Sequence, residues 1–130
     1  MVKGVRKAEA MKFLYQAKEF LQSANENMVA ERYNAAVFVA IQAMINANDA
    51  FTIHHLEKRA SADHRECLKL HADAAKNIDD GSQRERLKDA MNLRSQAGYM
   101  GDWMSKAEAQ KAVRQAAQFL KWVEGKVGSK

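Results

Sequence analysis

The chain has 130 residues and no proline, and the strong helix formers Ala, Leu, Met, Lys, Glu, Gln and Arg fill its interior, so we expect a single all-α domain over residues 1–130. Its formal net charge of +5 is spread along the sequence without a lysine- or arginine-rich run, so charge alone does not indicate nucleic-acid binding. The single cysteine, Cys67, excludes an internal disulfide, and with no apolar signal sequence at the start the chain is predicted to be cytoplasmic.

Apolar residues recur with helical spacing in five segments. This pattern, with short connections, predicts an up-down bundle of four to five antiparallel helices. In chain order the predicted helices run from Val5 to Asn27, from Ala30 to Glu57, from Ser61 or Asp63 to the turn before Asp79, from Ser82 to Tyr99, and from Ser105 to Val127. The last two begin with the S-x-x-E spacing of a capping box.

The second predicted helix is apolar on most of its circumference, which is typical of a helix in the middle of a bundle. One polar seam interrupts it: Gln42, Asn46 and Asp49 lie at positions i, i+4 and i+7 and therefore share a face. These polar side chains argue against a membrane span. If the polar seam is buried, it must meet water, a ligand or a partner. An ordinary solvent-exposed stripe is the open alternative.

Few residues have the spacing of a known catalytic site. Arg94 borders an apolar row on the fourth helix, where an arginine either reaches solvent, pairs with an acid, or holds phosphate. The four histidines lack the converging spacing of a zinc site, so we expect neither a metal nor a cofactor. Core or interface packing, rather than base stacking, is expected for Tyr33, Tyr99, Trp103 and Trp122.

In order and spacing, several segments resemble the HEPN domain (higher eukaryotes and prokaryotes nucleotide-binding). The resemblance lies in KFLYQAKEFLQSA, ERYNAAVFVAIQAMINANDAFT, ADHRECLKLH and LRSQAGYMGDWMSKAEAQKAVRQAAQFLKWVEGKV. It implies a bundle of four or five helices that usually forms a homodimer. Members include metal-independent endoribonucleases, often toxins paired with an antitoxin protein, and non-catalytic binding modules.

The ribonuclease members carry an arginine in the later helix that is followed, after four to six residues, by a histidine. Arg94 matches that arginine, but the permitted positions hold Tyr99, Met100 and Gly101. Tyrosine is a poor proton shuttle near pH 7. Two segments near the third helix also have the bare spacing, as chance alone would give: Arg59 to His64 and Arg65 to His71.

We therefore expect an HEPN-like module, homodimeric and without a membrane segment, that lacks the usual ribonuclease site. Its partner is a nucleotide, RNA or an antitoxin-like protein. The predicted ligand groove has Asn46 and Asp49 facing Arg94 and Tyr99, with Asp49 orienting the guanidinium of Arg94. The alternative is a metal-independent endoribonuclease toxin that uses Arg94 with Tyr99, or with His64.

Overall fold

Five α-helices form the fold in a computed structural model that describes residues 2–60, 64–78 and 80–128. They are α1 (Ala10–Val29), α2 (Tyr33–Leu56), α3 (His64–Ala74), α4 (Ser82–Gly98) and α5 (Lys106–Val127). A short 3-10 turn, Lys7–Glu9, precedes α1. The predicted all-α class and helical bundle are confirmed. The proposed start of the third helix at Ser61 or Asp63 lies outside the described residues.

The central element is α2, which packs against all four other helices. Its large apolar side chains, including Ile41, Met44 and Phe51, are fully or almost fully buried. By length and composition this helix could also cross a membrane, but 78% of the relevant window is buried inside the fold. That burial is typical of a core helix. The apolar circumference of α2 therefore accounts for its position in the middle of the bundle, where the sequence predicted it.

A two-stranded sheet is the one element that no sequence pattern predicted. β1 (Val2–Gly4) pairs antiparallel with β2 (Lys58–Ala60), so that Lys3 lies opposite Arg59. β2 follows α2 directly, because Glu57 adopts a left-handed conformation with φ of 54° and ends the helix. Strands of three residues are too short to show an alternating pattern. The sheet positions Arg59 beside α2.

The helix starts differ in how they are capped. At α5 the predicted capping box is present, with Ser105 Oγ accepting from the Glu108 amide at 3.1 Å and Glu108 Oε1 accepting from the Ser105 amide at 2.9 Å. At α4 the predicted box is wrong, because Gly81 occupies the N-cap position. The Ser82 amide instead donates to Asp80 Oδ1 at 3.0 Å.

One side chain, Asn34 in the first turn of α2, holds the segment between α4 and α5. Its Nδ2 donates to the carbonyl oxygens of Ala97 at 3.1 Å and Asp102 at 2.6 Å. Its Oδ1 accepts from the Met104 amide at 3.0 Å. Within the segment, Gly101 has a positive φ of 72°. Asn34 therefore anchors the last turn of α4 at Ala97 and the α4–α5 segment at Asp102 and Met104.

Gly98 ends α4 and lies directly against the ring of Phe38 on α2. A Cβ atom at this position would overlap ring atoms of Phe38. α4 stops at Gly98, as the low helix propensity of glycine favours. The glycine also allows α4 to approach α2 closely. The Phe38 ring at this contact is one of the rings against which the Arg94 guanidinium lies.

Candidate functional site

An open cleft of about 220 Å³ lies where α2, β2, α3 and α4 meet. The polar seam of α2 forms one side, and Arg59, His64, Cys67 and Arg94 are contributed by the other three elements. Pockets for drug-sized ligands occupy roughly 300–1,000 Å³. The cleft is therefore matched in size to part of a nucleotide, such as a phosphate group.

Most of the predicted groove residues lie at this cleft. Asn46 and Asp49 from α2 and Arg94 from α4 all line it, and so does His64, the histidine of the ribonuclease alternative. Tyr99 lies next to Arg94, with its hydroxyl 3.5 Å from Arg94 Nη2, and its side chain is 69% exposed. The structure thus brings together residues that are up to 53 positions apart, from Asn46 to Tyr99.

In the polar seam, Asn46 and Asp49 are buried and Gln42 is half-buried. Gln42 Nε2 donates to Asn46 Oδ1 at 3.2 Å, and Asn46 Nδ2 makes a long bond of 3.4 Å to Gln16 Oε1 on α1. Asn46 is 7% exposed and Asp49 is 3% exposed. A simple solvent stripe is therefore the wrong interpretation for these two residues. Both residues also line the cleft.

Asp49 pairs with a different arginine from the one expected. Its Oδ2 accepts from Arg59 Nε at 3.2 Å, and the Arg59 guanidinium also lies 4.6 Å from the centre of the Phe13 ring. Among the described residues no ion pair joins Asp49 to Arg94, so the expected orienting role is wrong. The reason is the unpredicted turn at Glu57, which brings β2 back alongside α2.

Burial changes the protonation of two cleft side chains. It raises the pKa of Asp49 to about 6, although the neighbouring Arg59 acts in the opposite direction. It also raises the pKa of the Cys67 thiol to about 12, with a further contribution from the charge of Asp49. Cys67 is thus a protonated thiol at neutral pH and a poor nucleophile. Asp49 changes charge close to physiological pH.

Arg94 is positioned by aromatic rings. Its guanidinium carbon lies 5.0 Å from the centre of Phe38 and 5.8 Å from the centre of Tyr99. Its Nε atom is buried and has no hydrogen-bond partner among the described residues. A buried donor without a partner costs about 1–3 kcal/mol. Arg94 therefore lines the cleft with a guanidinium that is only partly hydrogen-bonded within the described part of the chain.

A second group of buried polar residues lies behind the cleft, and the sequence analysis missed it. Asn48 Nδ2 donates to Cys67 Sγ at 3.2 Å, while Asn48 Oδ1 accepts from His71 Nδ1 at 2.8 Å. His71 is 0% exposed and contacts the rings of Phe51 and Trp122. A histidine enclosed in this way is a structural residue, which removes the match from Arg65 to His71 as a catalytic candidate.

Arg59 is the other cleft residue that the sequence analysis did not select. The available signal was the spacing from Arg59 to His64, which had been attributed to chance, and both side chains line the cleft with Arg94. Across residues 2–60, 64–78 and 80–128, no group of three or more His, Cys, Asp or Glu side chains is arranged to hold a metal ion.

The cleft lies within a region that matches a known family. A family model described as HEPN domain matches residues 10–126. A comparison with curated proteins finds no match. The matched region runs from the first residue of α1 almost to the end of α5 and includes every cleft residue from Gln42 to Arg94.

Proposed function

The chain belongs to the HEPN domain family, and on this basis we propose that its cleft binds a phosphate group of a nucleotide or an RNA strand. The family is a nucleotide-binding or ribonuclease-type module. The observation that carries the proposal is Arg94, whose guanidinium lies over Phe38 and Tyr99 while its one hydrogen bond within the described part of the chain is the long one to Tyr99. The planar guanidinium fork matches phosphate geometry, and charge-assisted hydrogen bonds of this kind are strong.

The two cleft arginines differ in their availability to a ligand. Arg59 is paired with Asp49 and is only 30% exposed at its side chain. In the described part of the chain, Arg94 makes no ion pair with a carboxylate, and its one hydrogen bond is the long one to Tyr99. An incoming anion would therefore meet Arg94 as the less occupied cation. This supports Arg94 as the main phosphate ligand at neutral pH.

The test is binding of a short, labelled single-stranded RNA and of adenosine monophosphate to the purified protein. The loss of one charge-assisted bond, at about 1.5–3 kcal/mol, predicts that Arg94→Ala lowers affinity by about 10- to 150-fold. Arg114→Ala is the matched control, because Arg114 is an exposed arginine on α5 outside the cleft. Equal affinity of wild type and Arg94→Ala would contradict the proposal.

One observation favours a second candidate function, metal-independent RNA cleavage. His64 lines the same cleft as Arg94, so a proton-transferring group and a fixed positive charge lie around one cavity. Histidine can act as acid or base near neutral pH, and a guanidinium can stabilise charge on a phosphate in the transition state. Cleavage by wild type in the presence of chelator, lost in both His64→Ala and Arg94→Ala, would support this function. Binding without cleavage would support the binding module.

HEPN domains often dimerise, and we expect a homodimer of this 14.6 kDa chain. Light scattering during gel filtration would give twice that mass if the expectation is right. An antitoxin-like protein partner and a cytoplasmic location remain predictions of the sequence. Co-expression with a neighbouring gene product, followed by purification of the complex, is the direct test for such a partner.

A further inference from the structure

The α4–α5 segment presents an apolar patch to solvent: Tyr99, Met100 and Trp103, which are 69%, 68% and 93% exposed. Trp103 lies between two residues, Asp102 and Met104, whose backbone groups are both bonded to Asn34. The backbone on either side of the indole is thus fixed while the ring is open to solvent. Core packing, one of the two roles expected for Tyr99 and Trp103, is wrong for both.

This apolar patch adjoins the cleft through Arg94. The Tyr99 ring centre is 5.8 Å from the Arg94 guanidinium carbon, and the Tyr99 ring packs edge-on against Phe38 at 5.8 Å between centroids. Since four peptide units separate the two aromatic residues, the Cα atom of Trp103 is at most about 14 Å from that of Tyr99. The order in space is therefore the cleft, then Arg94, then Tyr99, with Trp103 close by.

We propose that Tyr99 and Trp103 stack on bases of a single RNA strand whose phosphate is held at Arg94. The inference rests on the proposed phosphate-binding function of the cleft. Exposed aromatic rings beside an arginine are the usual means of holding unpaired bases, because every base offers a flat face. Bases inside a duplex are already stacked on one another. The site is thus specific for unpaired oligonucleotides over duplexes and over single nucleotides.

A second copy of the chain is the main competing occupant, and area argues against it. An aromatic side chain buries about 150–250 Å² when fully covered, so the exposed parts of Tyr99 and Trp103 together offer about 250–400 Å². A stable protein–protein interface needs about 800 Å² from each partner. The net charge of +5 also favours a polyanion over another copy of the same basic chain.

The experiment compares wild type with Trp103→Ala, Trp103→Phe and Tyr15→Ala. Tyr15 is the matched control, an aromatic residue on α1 that is 62% exposed and does not line the cleft. Each protein is titrated with a labelled single strand, with the same strand annealed to its complement, and with adenosine monophosphate. Alanine substitution at stacking residues predicts single-strand affinity about 5- to 150-fold lower for Trp103→Ala.

Trp103→Phe should keep most of the single-strand affinity, because phenylalanine retains a flat ring, and Tyr15→Ala should keep all of it. The affinity of Trp103→Ala for adenosine monophosphate should be unchanged. RNA should also quench tryptophan fluorescence in wild type but much less in Trp103→Phe, which retains only the partly buried Trp122.

Three outcomes would overturn the inference in distinguishable ways. Single-strand binding that depends on Arg94 but not on Trp103 removes the stacking role and leaves the phosphate site intact. Loss of a dimer in Trp103→Ala, seen by light scattering, would identify the apolar patch as a protein interface. No binding of any RNA or nucleotide by wild type would refute the proposed function itself, and the stacking role with it.

Discussion

Two groups of polar side chains meet at α2, one enclosed among aromatic rings and one at the open cleft. Behind the cleft, Asn48 uses both ends of its amide, on Cys67 and on His71, inside a shell of aromatic rings. At the cleft, Asp49 is bonded to the partly exposed Arg59, and within the described part of the chain Arg94 makes one long hydrogen bond, to Tyr99. Buried polar groups that are satisfied stabilise one structure, whereas unsatisfied groups beside open space are available to a ligand.

The largest expected effect comes from breaking the enclosed group. His71→Ala leaves Asn48 Oδ1 without its donor and opens a cavity among Phe51, Phe119 and Trp122. Together these changes should lower the free energy of unfolding by about 3–5 kcal/mol. Urea unfolding measures this. His64→Ala is the comparison, and we expect it to lose little stability but to bind RNA more weakly. A large loss of stability in His64→Ala and little loss in His71→Ala would show that the two groups have been assigned wrongly.

The next effect concerns the pH dependence of Asp49. Its pKa is about 6 in the folded protein and near 3.8 when unfolded, so the folded state binds the proton more tightly. The resulting contribution to the free energy of unfolding is fully present below about pH 4. It is lost as the pH rises towards 6, which lowers the free energy of unfolding by up to about 3 kcal/mol. Asp49→Asn should remove this fall, as measured by urea unfolding at several pH values.

Other titrating groups cancel in that comparison. Burial lowers the pKa of both His54 and His55, which makes the fold less stable on acidification, but these residues are present in both proteins. Parallel pH curves for the two proteins would show that Asp49 has an ordinary pKa.

Because Asp49→Asn also frees Arg59 from its carboxylate partner, phosphate affinity at pH 7 should rise.

A smaller effect tests how Arg94 is held. Gly98→Ala would push against Phe38, at a cost of about 1–3 kcal/mol in unfolding free energy, and would shift the ring beneath the guanidinium. RNA affinity should fall as well. Gly125→Ala on α5 is the matched control, since a Cβ there meets nothing within 4 Å and should stabilise the helix by up to about 1 kcal/mol. Equal changes in stability and RNA affinity for Gly98→Ala and Gly125→Ala would contradict the role given to the contact between Gly98 and Phe38.

The smallest effect lies far from both groups. Ser105→Ala removes the side-chain acceptor of the α5 capping box and should cost about 1 kcal/mol of stability, with RNA affinity unchanged. Thermal unfolding measures the loss. A change in the RNA affinity of Ser105→Ala would contradict this expectation and would mean that the start of α5 influences the cleft.

The parts of the molecule that periodicity controls could be predicted from the sequence. The apolar circumference of α2 identified the central helix, and the spacing of Asn46 and Asp49 identified one side of the cleft. Arg94 was selected because it borders an apolar row on the fourth helix, and the family resemblance then matched it to the arginine of the ribonuclease members. Periodicity could not show that Glu57 would adopt a left-handed conformation, and this single residue decides which arginine meets Asp49.

Side-chain exposure was harder to predict than helix position. His71 and Trp103 illustrate this, since histidine is often partly exposed and tryptophan is usually buried, yet here they are 0% and 93% exposed. The difference comes from tertiary contacts. His71 faces Asn48 inside the bundle, whereas the bonds of Asn34 hold the backbone on either side of Trp103 at the surface.

The small sheet has a practical consequence for the design of expression vectors. β1 pairs with the strand that carries Arg59, and the Val5 amide donates to the Glu57 carbonyl oxygen at 2.9 Å. A bulky affinity tag joined ahead of Val2 would therefore disturb β1, the strand that pairs with β2 and helps to position Arg59 at the cleft. Purification handles are better attached after α5, and affinities measured on N-terminally tagged protein should be repeated after the tag is removed.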